Sequence, residues 1–275
     1  MRKSRELLNT LPSFLWLATF VLLPLAVIFA VAFKPAVPGG GIGDGWSLES
    51  VEAVFDRTYL GLFWRTVWIS AVVTVLCLMF ALPVAYAMAR MSAAWQSRLL
   101  LWIVVPFWTN FVIRVFAWQQ ILHAEGWIAG ALRGVGLLGD NDRLLGNDFA
   151  VILVSVYTYL PFAVLPLFAA AEKFDFSLLD AARDLGAKAW GAFTSVFLPG
   201  IRQGLVTTVV VIFIPMLGSY IVPDMVGGTN SQMLGNKISQ RNFNDRNLPQ
   251  AAALSAALTL LVMAPMLLKR KRREA

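Results

Sequence analysis

One cysteine and one histidine stand in 275 residues. Cys77 has no second thiol to pair with in the chain. Neither it nor His123 belongs to a spaced set of Cys, His, Asp and Glu, so no metal-ligating cluster is present. A lone histidine near the end of an apolar segment reads as a packing or interfacial residue. No G-x-x-x-x-G-K-[ST] run occurs, so the chain lacks the loop that ordinarily cradles a nucleotide's phosphates. No nucleophile, base and orienting acid are spaced as a catalytic set. Charge is also scarce, at 14% of residues, where a soluble domain carries about a quarter. What fills the chain instead is apolar: 58% of residues are hydrophobic and the mean hydropathy is +0.68. A polytopic membrane protein follows. The net charge of +7 would suit nucleic acid, but the excess sits beside apolar segments, where orientation in a bilayer explains it.

Six apolar segments predict an all-α protein with transmembrane spans at 13–33, 66–89, 99–121, 149–171, 205–222 and 249–268, in a single transmembrane domain covering 1–275. The first is 21 residues without a charge, enough to cross a hydrocarbon core of roughly 30 Å at about 1.5 Å per residue. Ala30-Val31-Ala32 resembles a signal-peptide cleavage site, but the run exceeds the ~7–15 residues of a signal's apolar region, so it is read as a retained span. Pro83 is expected to kink the second span, and Pro83, Pro161, Pro215 and Gly218 are candidate flex points. Between spans, 34–65 carries a short interfacial helix from Trp46 onward, and glycines interrupt 122–148.

Basic residues set the orientation. Arg2, Lys3, Arg5, Arg90, Arg98, Lys173, Arg183, Lys188, Arg202 and the run 269–273 fall on one side. Fewer, spread over longer loops, fall on the other. The positive-inside rule puts both termini in the cytoplasm. Arg114 is the one charged residue inside a span, about 22 Å past Leu99 in a core of roughly 30 Å. A gate or structural role is expected for it, paired with a carboxylate such as Asp224 or with helix C-terminal carbonyls.

The longest cytoplasmic interlude is 177–204. Its first part reads as a helix with Ser177 as N-cap and Asp180 completing a capping box. Leu178, Leu179, Ala182, Leu185, Ala189 and Trp190 share an apolar face, Arg183, Asp184 and Lys188 stay solvated, and Pro199 marks a break. The helix lacks the basic polar face of a lipid-bound helix. These residues resemble the loop of importer permeases of the ATP-binding-cassette (ABC) type: E-A-A, three residues, G, nine residues, I, one residue, L-P. Asp180, Ala181 and Ala182 stand at E-A-A, Gly186 at the glycine, Val196 at the isoleucine, and Leu198-Pro199 at L-P, with Asp and Val as conservative departures.

The resemblance extends over most of the chain to the spermidine/putrescine (polyamine) permease family of binding-protein-dependent type I importers. It is carried by 106–118, 217–228 and Asn247-Leu248-Pro249. Related permeases for iron, sulfate or aminophosphonate share parts of these segments. The family often has an acidic residue where Ser219 stands. The resemblance implies a type I ABC importer permease fold in the bacterial inner membrane, with 177–204 as a coupling helix docking into an ATPase subunit. It implies two ATPase subunits that bind ATP and magnesium, a second homologous permease and a periplasmic binding protein, with no cofactor, metal or catalytic residue on this chain. Alternating access driven by nucleotide turnover is the implied mechanism. A polycation's path wants π-faces and a few carboxylates. Trp108, Tyr157, Tyr159, Tyr220 and Asp224 are the candidates for it. An ion-coupled secondary transporter is the rival class, but it needs acidic residues at mid-membrane, and the spans have none. A membrane enzyme or scaffold is a third, and the missing catalytic sets disfavour the enzyme.

Overall fold

Helix accounts for nearly all regular structure in the computed structural model, which describes residues 2–139 and 142–274, with side chains at 10–139 and 142–263. The basic side chains expected to orient the termini, at Arg2, Lys3, Arg5 and 269–273, lie outside those described. In chain order the helices are α1 (Arg2–Leu17), α2 (Leu23–Ala32), α3 (Glu49–Ala53), α4 (Arg57–Ala89), α5 (Ala93–Val104), α6 (Phe111–Ile121), α7 (Trp127–Gly134), α8 (Asp148–Ala171), α9 (Ser177–Asp184), α10 (Ala189–Ala192), α11 (Leu198–Gly200), α12 (Arg202–Leu217), α13 (Ile221–Val226), α14 (Leu234–Ser239) and α15 (Leu248–Glu274). A π-helical turn, Ala18–Leu22, joins α1 to α2, and another, Phe193–Phe197, joins α10 to α11. One isolated antiparallel bridge, Ala36 to Ile42, is the only β pairing among the described residues.

Three helices are long and apolar enough to cross a bilayer: Thr10–Ala32, Arg57–Ala89 and Asp148–Ala171. Two more candidates are broken. Residues 93–108 and 111–121 meet at 87°, and residues 189–200 and 202–217 at 71°. The expected third span at 99–121 is therefore two helices with a corner between them. Pro106 sits in a 3₁₀ turn, Thr109 is extended, and Asn110 restarts the chain as an N-cap, its Oδ1 accepting from the Val112 amide at 2.8 Å. The stretch expected as a fifth span, 205–222, likewise leaves helix at Gly218 before α13 begins. Pro83 lies within α4, and assigned helix continues through it. The last apolar segment is helical over Leu248–Met263.

The chain divides into two compact units. One comprises the residues up to Trp64 and from Leu234 on. There α2 packs along the Ala-rich start of α15, burying Ala32, Ala252, Ala253 and Leu254 with Val54, Tyr59 and Leu234. Small side chains allow close backbone approach, the usual basis of helix association in lipid. The Tyr59 oxygen gathers the unit's polar groups, accepting from Arg241 Nη2 at 2.9 Å and Gln250 Nε2 at 2.8 Å. Asn247 Oδ1 accepts from the Gln250 amide at 3.1 Å and so caps α15.

The second unit spans 65–233. Ile69, Val73, Cys77, Ala81 and Ala85 recur every fourth residue along α4 and bury one stripe. Trp68, Val75, Met79 and Phe80 on the same helix stay exposed, as a lipid-facing surface requires. Helix α8 packs on α12 at Gly204, where a Cβ would stand 2.4 Å from the Ala170 Cβ, so glycine permits this crossing. Three buried threonine hydroxyls, one each on α4, α8 and α12, return to their own helices: Thr74 donates to the Ser70 carbonyl at 2.7 Å, Thr158 to Val154 at 2.8 Å and Thr208 to Gly204 at 2.9 Å.

Candidate functional site

The 177–204 stretch folds as a helix, a tight turn and a second short helix. The N-terminus of α9 is capped from outside the helix. Asp175 Oδ1 accepts from the Ser177 amide at 3.0 Å, and bonding to Ser177 holds the Asp175 carboxyl below the usual carboxylate range. Asp175 thus performs the role expected of Ser177, because a carboxylate two residues before an open amide reaches it without distorting the first turn. Asp180 is exposed and makes only a loose ion pair with Arg183, 3.7 Å away, which solvent screening leaves weak.

Gly186 ends the helix. Its φ is +88°, in the left-handed region. The Gly186 amide donates to the Arg183 carbonyl at 2.9 Å, and the Ala187 amide donates to Ala182 at 3.0 Å. That pair of bonds is a Schellman motif with glycine at C′. The glycine of the family loop therefore has a conformational cause. A sharp turn here brings α10 back beside α9.

Leu179, Ala192 and Phe197 are buried, and Ala182, Ala187, Val196 and Leu198 are half-buried against the same core. This anchors the loop. The opposite side is uncovered. Leu178 is exposed, Leu185 at the turn is 90% exposed and Trp190 is 75% exposed, with Ala181, Gly186 and Pro199 also at the surface.

The path candidates fall in two places. Trp108 sits at the corner between α5 and α6 and is 80% exposed. The others gather near α13, which packs against α6 and α8. Tyr157 meets Trp118 edge-on at 5.3 Å, and Tyr159 is hydrogen-bonded to Ser219. Tyr220 and Asp224 are exposed around the start of α13. No ion pair joins Asp224 to Arg114 among the described residues. Arg114 instead lies over the Phe107 ring at 4.3 Å, and its Nε and Nη1 are buried without an acceptor. The corner at Thr109–Asn110 turns the preceding aromatic segment back onto the guanidinium, so a ring face stands where a carboxylate was expected. Arg65, at the head of this unit, does find its acid, Asp148, in the first turn of α8.

Sequence reasoning missed a group of rings packed against 177–204: Tyr86, Phe174, Phe176, Phe193 and Phe197. The density of phenylalanine on either side of 177–192 was a signal. The link to Tyr86, some ninety residues away in sequence, was not.

Residues 81–269 match the family described as binding-protein-dependent transport system inner membrane component. The chain is 34% identical over 249 residues to the spermidine/putrescine transport system permease protein PotB of Haemophilus influenzae, covering 90% of this chain and 87% of that one. It is 32% identical over 253 residues to the Escherichia coli protein of the same name, covering 92% of each. Among solved structures, a chain of a bacterial alginate ABC transporter, in complex with an alginate pentasaccharide-bound periplasmic protein, superposes with a TM-score of 0.68 at 16% identity, over 97% of this chain and 93% of that one. That likeness establishes the fold.

Proposed function

The chain belongs to the inner membrane component family of binding-protein-dependent transport systems, and from that premise we propose that it forms part of the path by which a polyamine enters the cell. As a member it is a non-catalytic permease subunit of an ABC importer, working with ATPase subunits, a partner permease and a periplasmic binding protein. An ion-coupled carrier is not this family's mechanism. The observation supporting a polyamine cargo is the identity above 30% over nine-tenths of the chain to permeases named for spermidine and putrescine. In this reading both termini and 177–204 face the cytoplasm, and one of two ATPase subunits docks on the exposed Leu185 and Trp190 around Asp180, Ala181, Ala182 and Gly186. Val196, Leu198 and Pro199 carry the motion back toward α12. Trp108, Tyr157, Tyr159 and Tyr220 offer π-faces to the cation, and Asp224 offers charge.

A second cargo class has one observation in its favour. A guanidinium at Arg114 with two buried nitrogens lacking an acceptor suits an oxyanion such as sulfate or an aminophosphonate. The test is uptake by the complete transporter in proteoliposomes loaded with ATP. Labelled putrescine or spermidine should accumulate, and Asp224→Asn should lower that accumulation about tenfold without lowering assembly. Accumulation of sulfate or an aminophosphonate, with polyamines excluded, would replace the first cargo with the second.

A further inference from the structure

The coupling stretch is held on both sides by aromatic rings, and those rings also hold the end of a different helix. Tyr86 lies in the last turn of α4. Its ring meets Phe176 at 5.8 Å, Phe193 at 5.7 Å and Phe197 at 5.0 Å, each near edge-on at 71°, 78° and 88°. Phe174 and Phe176 belong to the turn entering α9, and Phe193 and Phe197 to the π-helical turn leaving α10. Entry and exit therefore converge on Tyr86, which is half-buried, and on Phe197, which is fully buried. Phe174 lies 5.1 Å from Phe197, and Phe193 stacks on Phe197 at 5.3 Å. Arg90 closes the group from outside, donating from Nη1 to the Tyr86 hydroxyl at 3.1 Å, with its guanidinium 5.7 Å from the Tyr86 and Phe176 rings. On the far side a Cβ at Gly200 would meet the Phe174 ring at 2.4 Å, so that ring is wedged against the chain that leads into α12.

We propose that this aromatic group is the strut that delivers displacement of 177–204 to α4 as well as to α12, and that Tyr86 is the positioning residue that engages α4. The proposal rests on reading 177–204 as the ATPase-docking element. The physical argument is stiffness. Ring pairs prefer edge-on or offset-stacked arrangements, with centroids about 4.5–7 Å apart, over other geometries. Phe197, which each of the other four rings meets, is fully buried, and a close-packed site has no free volume to absorb a shift. A push on α9 therefore moves Phe176 and Phe197 together, and Tyr86 has to follow. Direct chain connection couples 177–204 only to α8 and α12. The rings add α4, whose buried stripe packs in the core of the same unit. A ring group that served burial alone would tolerate any apolar residue of similar bulk at 86. A strut would not, since an aliphatic side chain fills the space without fixing the angle.

The test uses the whole transporter, with its partner permease, ATPases and binding protein, in proteoliposomes. In Tyr86→Leu the ATPase should co-purify in normal amount and basal hydrolysis should persist. Cargo moved per ATP should fall about tenfold, the scale of an ordinary coupling free energy, and stimulation by loaded binding protein should disappear. Tyr86→Phe, which keeps the ring and loses only the Arg90 bond, should stay close to the parent. Unchanged cargo per ATP in an assembled Tyr86→Leu complex would overturn the strut. Leu185→Asp checks the underlying reading separately, because it should lose the ATPase altogether; if the ATPase still co-purifies, the docking assignment fails whatever Tyr86 does. If Tyr86→Leu does not assemble, hydrogen exchange on the unsubstituted complex decides. Trapping with ATP and vanadate should change protection at 84–90 together with 174–200, and a change at 174–200 alone would overturn the proposal.

Discussion

Gly186 shows how much of a family motif is backbone chemistry. At φ +88° an L side chain is strained whatever space surrounds it, and here the surroundings are open. Gly186→Ala therefore loses nothing by collision and everything by conformation, on the order of 1 kcal/mol for a left-handed residue. That cost falls on the turn that brings α10 back beside α9, so the exposed Leu185 and Trp190 would no longer present together. We expect Gly186→Ala to retain less ATPase on co-purification than the parent, and Gly186→Asn to retain more than Gly186→Ala, because asparagine tolerates the left-handed region. Equal retention by the two variants would remove the conformational explanation. The same scale separates Asp175 from Ser177. Both are polar residues at a helix start, and a sequence pattern with Asp three residues after Ser points to the serine. The bond belongs to Asp175, which the pattern does not mention.

At the scale of elements, what was legible had a period or a special residue behind it. The four-residue repeat of Ile69, Val73, Cys77, Ala81 and Ala85, the long apolar segments of α4 and α8, and the glycine and proline that punctuate 177–204 are all local signals. The corner between α5 and α6 was not read, although Pro106 and Asn110 bracket it, since a proline in an apolar run is compatible with a kink, a break or an undisturbed helix. Pro83 gives the contrast, lying in a helix that is not broken. The crossing of α8 and α12 is non-local too, and it depends on Gly204. A Cβ there would stand 2.4 Å from the Ala170 Cβ and 3.1 Å from the Pro166 carbonyl oxygen, so the helices would have to part. Gly204→Ala should lower the thermal stability of the detergent-solubilised complex by about 1–3 kcal/mol, the usual cost of overpacking. Ala170→Gly in the same chain should restore most of it, since it removes the atom that is struck. A double variant no more stable than the single would place the damage elsewhere.

For the whole molecule, the exposed side chains define the solvent. Phe14, Trp16, Phe20, Trp68, Met79 and Phe80 lie open on helices long enough to cross a bilayer, a distribution that water would not tolerate and lipid requires. Which ends of those helices face the cytoplasm is a separate matter, carried in the sequence by basic residues. The chain offers a clean way to measure it. Its one cysteine, Cys77, is fully buried, so a maleimide added to membranes has no background site to react with on the folded protein. Leu185→Cys places a thiol at the turn that ends α9, and Asn230→Cys places one on an exposed position beyond α13. A membrane-impermeant maleimide should label Leu185→Cys in inverted vesicles and spare it in spheroplasts, and should label Asn230→Cys in spheroplasts only. Labelling of Leu185→Cys from outside would place 177–204 away from any cytoplasmic ATPase. It would leave the fold as it is, and would remove both the docking surface and the strut built upon it.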